Sequence, residues 1–449
     1  MRNKIRLSMP INISSILLFF KLLFNKLFIK HFSIKALGIT AFIILTLIAV
    51  TSASPFAYIT NYNSNHISVI DTATNKVIGT LAAGNSSYQL AVTPDGTKAY
   101  VTNCIDEGTV YVIDTAKNRV ITTVNVGSNP IGVAISPDGA KVYVTNSRNN
   151  NVSVIETTSN SVIASIDVRE VPIAAAASPD GTRVYIANSG GYLTDFKGAV
   201  SVINTTTNIV EATINTGNNT LGIAVNPNGT QVYAMNSNIY SEDEGTISII
   251  NTTTNNITST ISAGKYPRGI AVSPDGKTIY VVVQDSGNHS LTGAVNIIDT
   301  ETNKLIDTVN VKSGPIGVAV TPDGTKAYVA NSADNSVSVI DATTNKVKGA
   351  IPVGEFPIAV GQCIGPVISP IIKPNTTFES NSMSSLSPIN HNYNQGNNNS
   401  KIAKNDIIVD EQEKELNFTS ESKKTALISP IWIFLILSGI VVYMRETKR

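Results

Sequence analysis

Through the middle of the chain, apolar and polar positions alternate in short runs, the period-two signature of half-buried β-strands. A representative stretch opens with Ile131-Gly-Val-Ala-Ile135 and crosses Ser136-Pro-Asp-Gly139 into a second run, Val142-Tyr-Val-Thr-Asn146. A third run, Val152-Ser-Val-Ile155, is followed by Glu156-Thr-Thr-Ser-Asn160 and an outer fourth strand near Val162 to Ile166. Proline presets φ and glycine accepts a positive φ, so Pro-Asp-Gly predicts a hairpin turn. The unit recurs: one tyrosine returns at 58, 100, 143, 185, 233, 280 and 328, at intervals of 42, 43, 42, 48, 47 and 48 residues. That is the length of a four-stranded propeller blade, so seven tyrosines predict seven blades. A turn asparagine accompanies each of them, at 75, 118, 160, 208, 255, 303 and 345. Asparagine tolerates the left-handed conformation better than other non-glycine residues, which is sufficient reason for it there.

The repeats start at a second strand, Ala57-Tyr-Ile-Thr-Asn61, and end in Phe356-Pro-Ile-Ala-Val-Gly361, which matches a first strand. The C-terminal strand is therefore expected to complete the N-terminal blade and so remove an exposed edge. The fold class predicted is all-β: a seven-bladed β-propeller of four-stranded antiparallel blades over residues 54–365, plus a C-terminal transmembrane helix.

The segments outside the repeats predict export and anchoring. Ala36 to Val50 is an apolar run behind a basic flank, ending at the small residues Thr51-Ser52-Ala53. Residues 1–53 read as a signal peptide, with an uncleaved N-terminal anchor as the alternative. Residues 366–424, rich in Asn, Ser and Pro, read as a disordered stalk. Ala426 to Met444 holds no charge over 19 residues, enough for a membrane-spanning helix within 425–444. Arg445, Lys448 and Arg449 then form a basic cytoplasmic tail at 445–449.

Tyr100-Val-Thr-Asn103 and Tyr143-Val-Thr-Asn146, each preceded by Ser-Pro-Asp-Gly or a close variant, resemble the YVTN-repeat β-propellers common in archaeal surface-layer proteins. The resemblance covers residues 57–365, with departures at Tyr280-Val-Val-Val283 and Tyr233-Ala-Met-Asn236. It implies extracellular display. It is weak for activity, because one fold hosts many.

Only 14% of residues are charged, well below the usual ~25%, so Asn, Thr and Ser supply the polar surface. Seven basic residues before Ser54 meet no acidic one, leaving residues 54–444 at a net −8. That sign excludes nucleic acid as a partner. Histidine is scarce: His31 lies in the leader, His391 in the stalk, and only His66 and His289 in the propeller, too few for a metal cluster. Cys104 and Cys363 follow strands that run in opposite senses, so a strand length of ~17–20 Å separates them, beyond the ~7 Å limit for a bridge. Aligned on the Pro-Asp-Gly turn, one face of the first strand carries Gln89, Gly132, Ala174, Gly222, Gly269 and Gly317, then alanines. Such residues pack blade against blade. Only Gln89 and Arg268 break the apolar pattern near the channel mouth.

Between the signature tyrosine and the third strand, blades 4, 5 and 6 are five or six residues longer than blade 3. Their loops, Ser189 to Ala199, Ser237 to Thr246 and Gln284 to Ala294, predict a ridge opposite the Pro-Asp-Gly turns. Tyr192, Asp195, Phe196, Tyr240, Glu242, Asp243, Glu244 and Asp285 make it a candidate binding surface for calcium or a sugar. No other cofactor is implied. The reading that results is a membrane-anchored cell-surface protein, with the membrane and a surface protein or glycan as partners. Its role would be structural (surface-layer-like), adhesive or ligand-binding, and not enzymatic. The alternative kept beside it is an extracellular propeller hydrolase of the lactonase type, and a third is an ion- or solute-binding module.

Asn-x-Ser/Thr acceptors occur at Asn85, Asn151, Asn204, Asn218, Asn228, Asn251, Asn256, Asn288, Asn375, Asn398 and Asn417, several of them in turns that accommodate a glycan. Intact-mass measurement of the native protein is expected to show added glycan mass; a mass equal to that of the polypeptide would remove the expectation.

Overall fold

Alternation resolves into strands throughout the repeats. The computed structural model describes residues 55–84, 86–191, 196–238, 243–284, 293–358 and 363–365. These hold 27 strands in seven antiparallel sheets, six of four strands and one of three. In blade 3 the order from the channel outward is Pro130–Ile135, Lys141–Asn146, Asn151–Glu156 and Ser161–Asp167. The other blades repeat it, giving a seven-bladed β-propeller. In every blade the register between third and fourth strands slips at the position of Val154/Ile155, and blades 4 and 5 slip a second time, at Lys197/Ala199 and Gly245/Thr246. A bulge of this kind adds right-handed twist to the outer strand.

The turns behave as their residues predict. The six Pro-Asp-Gly or Pro-Asn-Gly glycines have φ between 69° and 74°, and the seven turn asparagines between 48° and 57°. The asparagine amide also has a second role that conformation alone does not reveal. The Tyr100 hydroxyl donates to Asn160 Oδ1 of the next blade at 2.9 Å, while Lys98 Nζ donates to the Thr157 carbonyl at 2.6 Å. Tyr328 repeats the contact on Asn75 at 2.6 Å, joining the last blade to the first.

The remaining signature positions have equally specific work. The threonine hydroxyl fills the irregular start of the innermost strand: Thr145 Oγ1 accepts from Gly132 N at 2.7 Å, and Thr102 Oγ1 donates to Ile131 O of the next blade at 2.9 Å. The asparagine side chain crosses to the third strand, as where Asn146 Nδ2 donates to Ser153 Oγ at 2.9 Å. In blade 6 the pair is exchanged, with Val283 at the asparagine's place on the second strand and Asn296 at the serine's place on the third, opposite Val281. A Cβ added to Gly132 would stand 2.7 Å from Ile173 O, and one on Gly269 2.5 Å from Ile316 O. The small-residue face therefore packs blade on blade, as the sequence predicts.

Closure is also as predicted. Blade 1 supplies Phe56–Asn61, His66–Asp71 and Lys76–Ala82, and residues from the C-terminal side take the inner position through antiparallel bridges Asn61–Pro357 and Ala57–Ile364. Tyr62 N donates to Phe356 O at 3.0 Å, Ile358 N to Thr60 O at 3.0 Å, Tyr58 N to Cys363 O at 3.0 Å and Gly365 N to Phe56 O at 3.1 Å. Cys363 is buried in the core beside the beginning of Phe56–Asn61, Cys104 follows the end of Lys98–Asn103, and both are free thiols. Among the described residues no helix is long and apolar enough to cross a membrane. The leader, the stalk and the apolar run Ala426 to Met444 lie outside the described residues.

Deleting residues 356–365 removes those four interstrand bonds, at about 1 kcal/mol each, and uncovers an edge. The expected loss is about 4 kcal/mol or more, read as a lowered Tm, against no measurable change on deleting 374–422. Equal melting temperatures would show the closure to be misplaced.

The Pro-Asp-Gly turns make a second, pH-dependent contribution. Asp95, Asp138, Asp180, Asp275 and Asp323 each accept a Ser or Thr hydroxyl at 2.5–2.6 Å and hold a carboxyl pKa below its ordinary value. For Asp138, Asp180 and Asp275 the serine hydroxyl is the largest cause; for Asp95 and Asp323 burial acts upward and the threonine and backbone bonds outweigh it. A folded-state pKa below the unfolded one gives stability that is complete above the ordinary carboxyl range, near ~3.9. It is lost as pH falls through the lower folded values. Blade 5 carries Asn228 in this place, with Oδ1 accepting Thr230 N at 2.9 Å. Replacing all five aspartates by asparagine is expected to flatten the fall of Tm below about pH 4, and an unchanged acid limb would assign that limb to other groups.

Candidate functional site

The seven innermost strands converge on the axis. Their second residues are Tyr88, Ile131, Ile173, Leu221, Arg268, Ile316 and Ile358, and all seven line one cavity of about 740 Å³. Five are aliphatic. Tyr88 and Arg268 interrupt the ring, in blades 2 and 6, and among the described lining residues Arg268 is the one ionic side chain.

Arg268 is positioned by its own blade and the next. Its Nε donates to Gln284 Oε1 at 3.1 Å, and Gln284 Nε2 donates to Pro315 O of blade 7 at 2.9 Å. One blade earlier Ser237 makes the corresponding tie to Pro267 O at 2.7 Å. Gln284 thus makes an interblade bond like that of Ser237, whereas Ser147 and Ser332 bond carbonyls of their own blades, and adds an acceptor for the guanidinium. Gln89 takes the place of a small residue, and its Oε1 accepts Val133 N at 3.3 Å.

Opposite lies an aromatic arc. The Tyr62 and Tyr88 rings meet edge to face with centroids 6.0 Å apart, and Tyr62 and Phe356 are 6.1 Å apart, tilted by 58°. Phe356 has φ 54° directly before Pro357. That conformation is uncommon for a bulky residue. It is held from both sides: Phe356 N donates to Asn335 Oδ1 and its carbonyl accepts Tyr62 N, each at 3.0 Å. Burial pushes the Tyr88 phenol pKa upward and Cys104 adds to the rise, while Arg268 and Tyr62 act in opposite directions, the arginine lowering it. Tyr88, which lines the cavity, therefore stays protonated at neutral pH.

The structure brings Gln89 and Arg268 into this cavity. Of the candidate ridge, Tyr192, Asp195, Tyr240, Glu242 and Asp285 lie outside the described residues. Phe196 is a turn residue at φ 56°, Asp243 is exposed, and the Glu244 carboxylate accepts Ser262 Oγ at 2.6 Å. Among the described residues no three acidic, histidine or cysteine side chains converge. His66 Nδ1 lies 2.5 Å from Ser64 O, and His289 lies outside the described residues. Of the glycan acceptors, Asn218, Asn228 and Asn256 are exposed and Asn151, Asn204 and Asn251 half-buried; Asn85, Asn288, Asn375, Asn398 and Asn417 lie outside the described residues.

Sequence reasoning missed Tyr88, Gln284, Tyr62 and Phe356. Tyr88 counts as apolar in an alternation pattern, although it stands in register with Arg268. Gln284 was signalled by blade 6's departure from Tyr-Val-Thr-Asn and by the serine that follows the asparagine in blades 3, 4, 5 and 7.

A family model described as "Lactonase, 7-bladed beta-propeller" matches residues 192–321, the stretch that contributes Arg268 and Gln284. A search of curated proteins gave no match. Similar solved structures include a hydrazine synthase from Kuenenia stuttgartiensis, 21% identical over 61% of this chain and 88% of that one, with a TM-score of 0.56. A putative 6-phosphogluconolactonase from Bacteroides fragilis is 17% identical over 69% and 98%, with a TM-score of 0.56. Another from Bacteroides uniformis is 17% identical over 68% and 98%, with a TM-score of 0.55. At such identities these structures share the fold. The lactonase match corrects the expectation that the chain is not an enzyme, since it points to a hydrolase. That expectation demanded several convergent charged groups at the axis and discounted a single guanidinium in an apolar wall.

Proposed function

We propose that the propeller is a hydrolase of the lactonase type working at the channel mouth, carried on an exported chain. The observation that carries this reading is the lactonase match over residues 192–321, which supplies the cation of the cavity. The leader and the apolar C-terminal run support an extracellular location. The match favours hydrolysis over the surface-layer role.

Lactone opening adds water to an ester carbonyl, places negative charge on the carbonyl oxygen, and then expels the ring oxygen as an alkoxide that takes a proton. A guanidinium aimed at the developing oxyanion lowers both barriers, and aliphatic walls keep water from weakening it. Arg268 has this role, with Gln284 as its positioning residue and the protonated Tyr88 as a hydroxyl donor. The full-length chain in detergent is expected to hydrolyse γ- and δ-lactones of sugars above the spontaneous rate. Arg268→Ala is expected to lower kcat by about 10²–10³ without lowering Tm. Wild-type rates equal to those of Arg268→Ala across the panel would overturn the assignment.

A further inference from the structure

The cavity mouth carries a second kind of chemistry that ester hydrolysis alone does not require. Tyr62, Tyr88 and Phe356 form a continuous aromatic arc on the blade 1 and blade 2 side. Phe356 is 37% exposed and lines the cavity directly. Its left-handed backbone is held by hydrogen bonds at both its N–H and its carbonyl. The positive φ recurs at the corresponding position of every other blade, in Ser86, Asn129, Val171, Asn219, Tyr266 and Gly314, so the conformation belongs to the repeat. What Phe356 adds at this position is an apolar ring lining the cavity.

We infer that the channel mouth is a binding subsite for a uronic acid unit, its pyranose ring against the Tyr62–Tyr88–Phe356 arc and its carboxylate on Arg268. Aromatic faces cover the apolar C–H face of a sugar, while the tyrosine hydroxyls and Gln89 and Gln284 supply the polar contacts that orient it. A carboxylate matches the planar donors of a guanidinium. The lining holds one cation among its described residues, which balances a carboxylate of charge −1 better than a phosphate monoester of about −2. The inference rests on the channel mouth as the functional site and narrows the substrates of the proposed hydrolase to uronate-type sugars and their lactones.

Calorimetric titration of the full-length chain in detergent with methyl glucuronoside, methyl glucoside and glucose 6-phosphate tests it. The expected order places methyl glucuronoside about ten- to hundredfold tighter than methyl glucoside, the size of a charge-assisted hydrogen-bond pair. Arg268→Gln is expected to abolish that preference. Phe356→Ala and Tyr62→Leu are expected to weaken both glycosides together by about three- to tenfold, with Tm measured on each variant so that misfolding is seen directly. Equal binding of the charged and neutral glycosides, tighter binding of glucose 6-phosphate, or no effect of either aromatic substitution in a folded variant would overturn it. Glucuronoside binding without lactone hydrolysis would remove the hydrolase reading alone. Hydrolysis without glucuronoside binding would remove the uronate subsite alone.

Discussion

The hydroxyl of Tyr328 meets Asn75 Oδ1 across 253 residues of chain, and much of the architecture depends on that contact and its counterpart between blades 2 and 3. A blade is a twisted sheet with two apolar faces, unable to bury either alone. Joining neighbours takes bonds that do not depend on sequence distance, and the tyrosine–asparagine bond is made between blades 2 and 3 and between blades 7 and 1. The signature tyrosine supplies the donor. The turn asparagine supplies an acceptor at a fixed place because its left-handed backbone closes the turn directly before the fourth strand. At the last interface the contact joins chain ends, and the inner strand of blade 1, drawn from the C-terminal side, completes the ring. One residue type thus serves local conformation and long-range closure together.

The channel is a consequence of this packing. Innermost strands approach closely only where glycine or alanine faces the next blade, which turns the alternate residues toward the axis. In most blades these are aliphatic, as the same repeat would supply at every turn. The functional character lies in the departures: Tyr88 and Arg268 in the ring of second residues, and Gln284 behind the arginine. In blade 6 Gln284 makes an interblade bond like that of Ser237 in blade 5, and the buried polar pair of the other blades gives way to Val283 and Asn296.

Much of the fold was legible in the residues. Fixed spacing, period-two alternation and Pro-Asp-Gly turns define blade length, strand order and the closing strand, since each follows from backbone geometry. The Tyr–Asn contact was not legible, because conformational tolerance already accounted for the asparagine and nothing local shows which blade its amide faces. The site was legible in fragments. Gln89 and Arg268 stand out as polar residues on an apolar strand, whereas Tyr88 and Phe356 disappear into the hydrophobic pattern and Tyr62 meets Phe356 only through a closure that brings together residues 294 apart. The glycan acceptors and the loop ridge follow from composition and length, which place residues on a surface without assembling them.

A nearly apolar axis first reads as an absence of chemistry, and the physics points the other way. An exposed guanidinium is screened by water, and its attraction for an anion is worth little. The same group held by Gln284 at the edge of an aliphatic channel acts through a medium of lower polarity, with its direction set before any ligand arrives. One oriented charge in such a wall stabilises a developing oxyanion or a carboxylate more than several would in open solvent. The aliphatic ring around Arg268 is therefore part of the site's electrostatics, and the isoleucines that the repeat supplies for packing are what make a single arginine sufficient.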